Sequence, residues 1–220
     1  PIPGRQPRAA RGRLPPGQLG WRIARDAQEL ARKLAATAIG YRTGPERGID
    51  VVVDIGDGRR LTGTVSPVYG RRLVSVTYST LGPKHLLDAW IRLLALGAVD
   101  PGTDWSAVCI GKSGKDAAVR EFAAPRDSAE LLADLVDIRD AGLREPIPLP
   151  LGTSHAWTSA RRKGADHYRA ALFAWKSGKY DGEDARPAHI LSWGAEPPFA
   201  VLLDPVRDDE PVVVGEDIDR

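Results

Sequence analysis

Apolar residues recur at helical spacing from Ile23 through Ala27, Leu30 and Leu34 to about Ala38. That pattern predicts an amphipathic helix, and Gly40 stands where a helix would stop. The period then changes. Asp50-Val51-Val52-Val53-Asp54-Ile55 is short, β-branched and bounded by turn residues, so it predicts a strand. Gly56-Asp57-Gly58 reads as a tight hairpin turn. A second strand follows from about Arg60 to Val68, a turn at Tyr69-Gly70, and a third strand from about Leu73 to Thr80. Gly82-Pro83 closes this meander and lets a helix begin near Lys84. Leu86, Leu87, Trp90, Ile91, Leu93 and Leu94 cover more than half of that helix, which is therefore expected to pack on the sheet.

Further strands are predicted at about Ser106–Gly111 and Ala118–Phe122. Ser128 is placed to cap a helix with Leu131, Leu132, Leu135 and Ile138 on one face. Asp127 and Glu130 suit its positive end. Glu145-Pro146-Ile147-Pro148-Leu149-Pro150 is excluded from helix interior, because proline lacks the N–H and clashes with the preceding turn. A last long helix is expected over about Thr158–Lys176. Together these elements predict an α/β (α+β) fold, an antiparallel meander within a mixed sheet flanked by helices. Residues 1–20 are Pro-, Gly- and Arg-rich and read as an arm or linker. Residues 21–205 read as the domain, and 206–220 as an acidic, solvated tail.

Composition narrows the function more than the fold. Lys and Arg number 31 against 29 Asp and Glu, so whole-surface charge does not select nucleic acid, and any such contact must come from local patches. The single cysteine, Cys109, excludes an internal disulfide and fits a reducing, cytoplasmic compartment. No apolar run approaches membrane-spanning length. The sequence has no methionine, which is taken as the mark of a piece of a longer chain.

Candidate chemistry is sparse. Asp50, Asp54 and Asp57 cluster on the first strand and its turn, where a metal site is conceivable but Asp57 is expected to serve the turn and Asp54 to face solvent. His85, His155, His167 and His189 are too widely spaced for a metal motif. Gly111-Lys112-Ser113-Gly114-Lys115 lacks the spacing of a phosphate loop and reads as a hairpin turn. Arg59-Arg60 and Arg71-Arg72 flank the turns of the meander, and Arg161-Arg162-Lys163 lies further on. All are candidates to meet DNA phosphates. Trp157 and Trp193, with Ile147 and Leu149, are candidate anchors for a protein partner, because aromatic residues dominate interface hot spots.

Ser66, Thr77 and Ser79 carry the most specific expectation. The segment Gly63-Thr64-Val65-Ser66-Pro67, then Thr77-Tyr78-Ser79-Thr80, then a helix, resembles the frame of Mg²⁺-dependent RecB-type nucleases. That pattern has Gly-x-Ile-Asp-Arg on one strand and Asp-Tyr-Lys-Thr on the next. Residues two apart on a strand share a face, so Ser75, Thr77 and Ser79 are expected to project together. Neutral hydroxyls cannot offset a divalent charge, and Mg²⁺ demands oxygen ligands that include carboxylates.

Over roughly residues 5–205 the chain resembles the RecC C-terminal domain family, RecC being the gamma chain of exodeoxyribonuclease V, the RecBCD complex. The resemblance rests on Ala10–Gly20, Leu61-Thr62-Gly63, Leu87–Arg92, Gly142–Pro150, and Gly182-Glu183 leading to Ile190–Gly194. It implies a restriction-endonuclease-like core whose catalytic motif is degenerate at Ser66, Thr77 and Ser79. It further implies a non-catalytic DNA-handling and subunit-binding domain, in a helicase-nuclease acting in double-strand break repair and recombination. Its partners would be RecB-like and RecD-like subunits and DNA, as a duplex end and as separated single strands, with no membrane. No cofactor is implied in the domain, since Mg²⁺ and ATP are used by the partner subunits. Two alternatives stand beside it: an active Mg²⁺-dependent exonuclease of the same fold using Asp50 or Asp54, and a purely structural interaction module.

Overall fold

The structure, a computed structural model, describes residues 17–176, 178 and 181–203. Most of the expected arm, and the whole acidic tail, lie outside the described residues. The rest forms two compact units that divide between Val136 and Asp137, where the sequence suggested one domain over 21–205.

The first unit opens with α1 (Gly17–Ile39). It begins before the expected boundary, so residues 17–20 are helical and not part of an arm. The meander follows as β1 (Glu46–Asp54), β2 (Arg60–Tyr69) and β3 (Arg72–Thr80). Then come α2 (Pro83–Val99), β4 (Ser106–Ser113) and β5 (Asp116–Ala123), followed by α3 (Ser128–Arg144), within which the division falls. The five strands lie in sequence order in one mixed sheet. β3 and β4 are parallel, joined through α2, and every other neighbouring pair is antiparallel.

Alternation along the strands builds two apolar layers. Val51, Val53, Ile55, Val65, Val68 and Leu73 face α2, whose Leu93, Leu94 and Leu96 are fully buried against them. Val74, Val108 and Ile110 face the other way and meet Leu30, Leu34 and Ala38 of α1. Val65 and Val68 are three apart yet share a face, because the β1–β2 register shifts between Arg47 and Ile49. The shift sets Ser66 and Pro67 against Gly48 and restores the pattern, as a bulge does.

Ser128 does not act as the expected cap. Its hydroxyl donates to the Pro125 carbonyl, and the residue is buried over Gly97 of α2. A methyl group at Gly97 would collide with the Ser128 side chain and lie 3.2 Å from Ala124 Cβ. The glycine thus sets the close approach of the two segments.

The second unit holds α4 (Leu151–Arg161), α5 (His167–Trp175), α6 (Pro187–Trp193) and a 3₁₀ turn at Phe199–Leu202. The single helix expected over 158–176 is two helices. Gly164 takes φ +65°, and Asp166 restarts the helix by accepting the Arg169 N–H at 2.9 Å. Trp175 is fully buried, donates its indole N–H to the Pro197 carbonyl at 3.0 Å, and packs with Phe199 and Leu202. Glu183, also buried, ties the unit together. Its carboxylate accepts the Gly152 N–H (3.1 Å), the Thr153 N–H (2.7 Å) and the Thr153 hydroxyl (2.9 Å) at the start of α4.

Candidate functional site: the fork between the second and third strands

β2 and β3 pair only at Val68–Leu73 and Tyr69–Arg72, next to their turn. Beyond those two pairs β2 follows β1 and β3 follows β4, so the strands part into a fork. Pro67 stands at the parting point and has no N–H to donate across it. Ser66 sits at the base on β2. Thr77 and Ser79 lie further along β3, where the β3–β4 register slips between Val76 and Thr80. The slip sets Thr77, Tyr78 and Ser79 against Gly111 alone. Within this stretch, which stays part of the strand, the Thr77 hydroxyl accepts the Ser79 N–H at 3.2 Å.

α2 lies along the fork and supplies what charge it has. Arg92 donates to Asp88 Oδ1 at 3.0 Å and, at 3.4 Å, to the Ser66 carbonyl. Sequence reasoning missed this pair, although the i,i+4 spacing of Asp88 and Arg92 on an exposed helical face was its signal. Cys109 of β4 lies beneath the fork. Burial, and secondarily the Asp88 charge, push its thiol up to about 11, with Arg92 working against the rise. This donor set does not fit a divalent cation. It offers hydroxyls, a carbonyl and one carboxylate already bridged to a guanidinium, where Mg²⁺ requires free carboxylate oxygen.

The other carboxylates are elsewhere. Asp50 and Asp54 are exposed on the face of β1 opposite α2. Asp50 accepts the Thr64 hydroxyl at 2.6 Å, Asp54 accepts the Gly56 N–H at 2.9 Å, and Asp57 occupies the turn with φ +52°. Among the described residues no three His, Cys, Asp or Glu side chains converge to hold a metal ion. Nor is any helix long and apolar enough to cross a membrane.

The basic candidates separate into three places. Arg59 and Arg60 stand at one end of β2, with Arg59 3.7 Å from Asp57. Arg71 and Arg72 stand at the other end, about 30 Å away for a strand of ten residues. They do not make one patch. Arg161, Arg162 and Lys163 are exposed at the end of α4 in the second unit. The candidate anchors Trp157 and Trp193 are half-buried against the core of that unit. Trp157 packs edge-on to His167, and Trp193 edge-on to Trp175. Ile147 is half-buried and Leu149 exposed, while the fully displayed apolar side chains are Phe173 (88%) and Leu191 (87%).

A helix, a meander, a second helix and a parallel fourth strand, carrying a fork without metal-binding carboxylates, define a mixed α/β domain with hydroxyls and an ion pair at its opening. The chain matches the RecC C-terminal domain over residues 5–162 and belongs to that family. It is 51% identical over 210 residues to the RecBCD enzyme subunit RecC of Mycobacterium tuberculosis strain H37Rv, covering 94% of this chain and 19% of that protein. To the RecBCD enzyme subunit RecC of Mycolicibacterium smegmatis it is 52% identical over 212 residues, covering 96% and 20%. The chain thus spans about a fifth of the length of these relatives.

Proposed function

We propose that the chain is a non-catalytic DNA-handling and subunit-binding domain of a RecBCD-type helicase-nuclease, acting in double-strand break repair and recombination. The observation that carries this reading is the fork. A restriction-endonuclease-like core is supported by the strand order and by the parallel β3–β4 pair joined through α2. At its opening, Ser66, Thr77 and Ser79 contribute only neutral groups, and Asp88 is matched by Arg92. Such a site neither offsets a divalent charge nor lowers the pKa of a water. RecB-like and RecD-like chains are the proposed protein partners, since both relatives are RecBCD enzyme subunits, and DNA is the proposed substrate of the assembly.

The test is incubation of the purified chain with single- and double-stranded DNA in Mg²⁺ or Mn²⁺. No cleavage is expected. Metal-dependent cleavage that persists through purification and vanishes in Asp54→Ala or Asp88→Ala would overturn the non-catalytic reading.

A further inference from the structure

At the Gly70 corner, four arginines that are scattered in sequence come together, and their neighbours leave them unequally neutralised. Arg42 follows the end of α1 and lies over the Tyr69 ring at 5.5 Å. Arg72 lies over the Tyr41 ring at the same distance. Arg47 on β1 donates one N–H to the Gly70 carbonyl at 2.8 Å. Arg71 is largely exposed, 3.8 Å from the fully exposed Asp104. Two other carboxylates, Glu46 and Glu121, stand at the corner. Each accepts a tyrosine hydroxyl, Glu46 from Tyr69 at 2.7 Å and Glu121 from Tyr41 at 2.9 Å. The tyrosines therefore give two guanidiniums a flat platform and hydrogen-bond two of the three nearby carboxylates, which keep their charge, so four guanidiniums face three carboxylates.

A guanidinium stacked on an aromatic ring keeps its in-plane N–H fork directed outward, and that fork matches phosphate oxygens in pairs. Stacking also fixes the side chain beforehand, so less freedom is lost on binding. β1 and β3 are two strand spacings apart, about 10 Å at the backbone, and Arg47, paired with Val68, and Arg72, paired with Tyr69, leave opposite faces of the sheet end, so that the Gly70 turn between them is where both are displayed. Tyr69 is buried beneath Arg42, so its ring offers no face to a base.

We propose that Arg42, Arg47, Arg71 and Arg72 form a contact surface for the phosphate backbone of DNA, indifferent to base sequence. This rests on the DNA-handling reading above and gives that function a place, at the end of the sheet opposite Arg59 and Arg60. Two of the four, Arg42 and Arg47, carry no signal in the sequence, because only the closing of β1 and α1 on the Gly70 turn brings them there.

Fluorescence anisotropy of the full chain with labelled single-stranded and duplex oligodeoxynucleotides, over a salt series, tests it. Replacing Arg42, Arg47 and Arg71 by Ala is expected to weaken binding about tenfold or more and to reduce the salt slope by about one per arginine removed. Arg72, partly buried, is left in place to protect the fold, and circular dichroism checks that it is kept. The corresponding triple Lys variant should recover most of the salt slope, since lysine keeps the charge. An Arg59→Ala/Arg60→Ala variant that loses as much or more affinity would overturn the assignment of the corner. So would an Ala variant that keeps its DNA affinity, or that loses only a copurifying RecB-like or RecD-like chain, which would make the corner a protein-facing surface. If the unsubstituted chain binds no DNA even at low salt, the DNA-handling reading fails with it. Binding that is intact but indifferent to the three substitutions removes the corner alone.

Discussion

Cys109 shows how far a single residue follows from its neighbours. It stands in the apolar run Ala107-Val108-Cys109-Ile110 and is buried on β4 with its Sγ 3.9 Å from the His85 carbonyl. Burial raises its pKa to about 11, so at any pH well below that the thiol is protonated. The thiolate is the reactive form. Iodoacetamide at about pH 8 should therefore leave the folded chain unlabelled and alkylate it after denaturation. Stoichiometric labelling of the native chain, read by mass spectrometry, would contradict the burial. Other residues were less legible. Asp54 is exposed, as its position suggests, but the sequence does not show that it also accepts the Gly56 N–H of the turn. Arg42 and Arg47 gave no local sign, because their company is set by strand pairing across more than twenty residues. The sequence could likewise name Ser66, Thr77 and Ser79 but not the register slip at Thr77–Ser79.

Among the elements, strands and helices of the first unit were readable because one face of each is buried. Val51, Val53 and Ile55 take the buried face while Val52 and Asp54 between them stay exposed, and the apolar excess of α2 reports a helix covered on most sides. The second unit was harder. Its apolar spacing runs on through residues 158–176, and only Gly164 and Asp166 mark the break, as a left-handed turn and a cap. The start of α4 follows a proline with no side-chain cap of its own, so its N–H groups depend on Glu183, some thirty residues away. That dependence predicts the effect of Glu183→Gln. The amide keeps one acceptor oxygen and points N–H donors at a backbone donor, leaving a buried group unsatisfied. Stability should fall by about 1–3 kcal/mol, seen as a lower urea midpoint and faster hydrogen exchange at the Thr153 amide. An unchanged midpoint and unchanged protection would mean that Glu183 is not what holds the start of α4.

For the whole molecule, membership of the RecC C-terminal domain family sets the chain within a much longer polypeptide in its relatives. Trp157 and Trp193 are partly buried against the second unit's own core, whereas Phe173 and Leu191 display nearly all of their surface. Large apolar side chains so displayed are candidate contact points for a partner. Replacing Phe173 and Leu191 by Ser should reduce copurification with RecB-like and RecD-like chains at least several-fold while leaving DNA affinity unchanged, because neither residue carries charge. Equal recovery of both partners with the variant would place the docking face elsewhere.

The early parting of β2 from β3 has a consequence for self-association. An ordinary five-stranded sheet has two rims; this one has four, since each arm of the fork carries main-chain groups that its neighbour does not take up. Such rims invite a strand from another molecule. Here they are blunted from within: Pro67 offers no N–H, Thr77 takes up that of Ser79, and Arg92 reaches the Ser66 carbonyl. The positions that hold no metal-binding chemistry are thus the ones that keep an opened sheet from recruiting a second copy of itself.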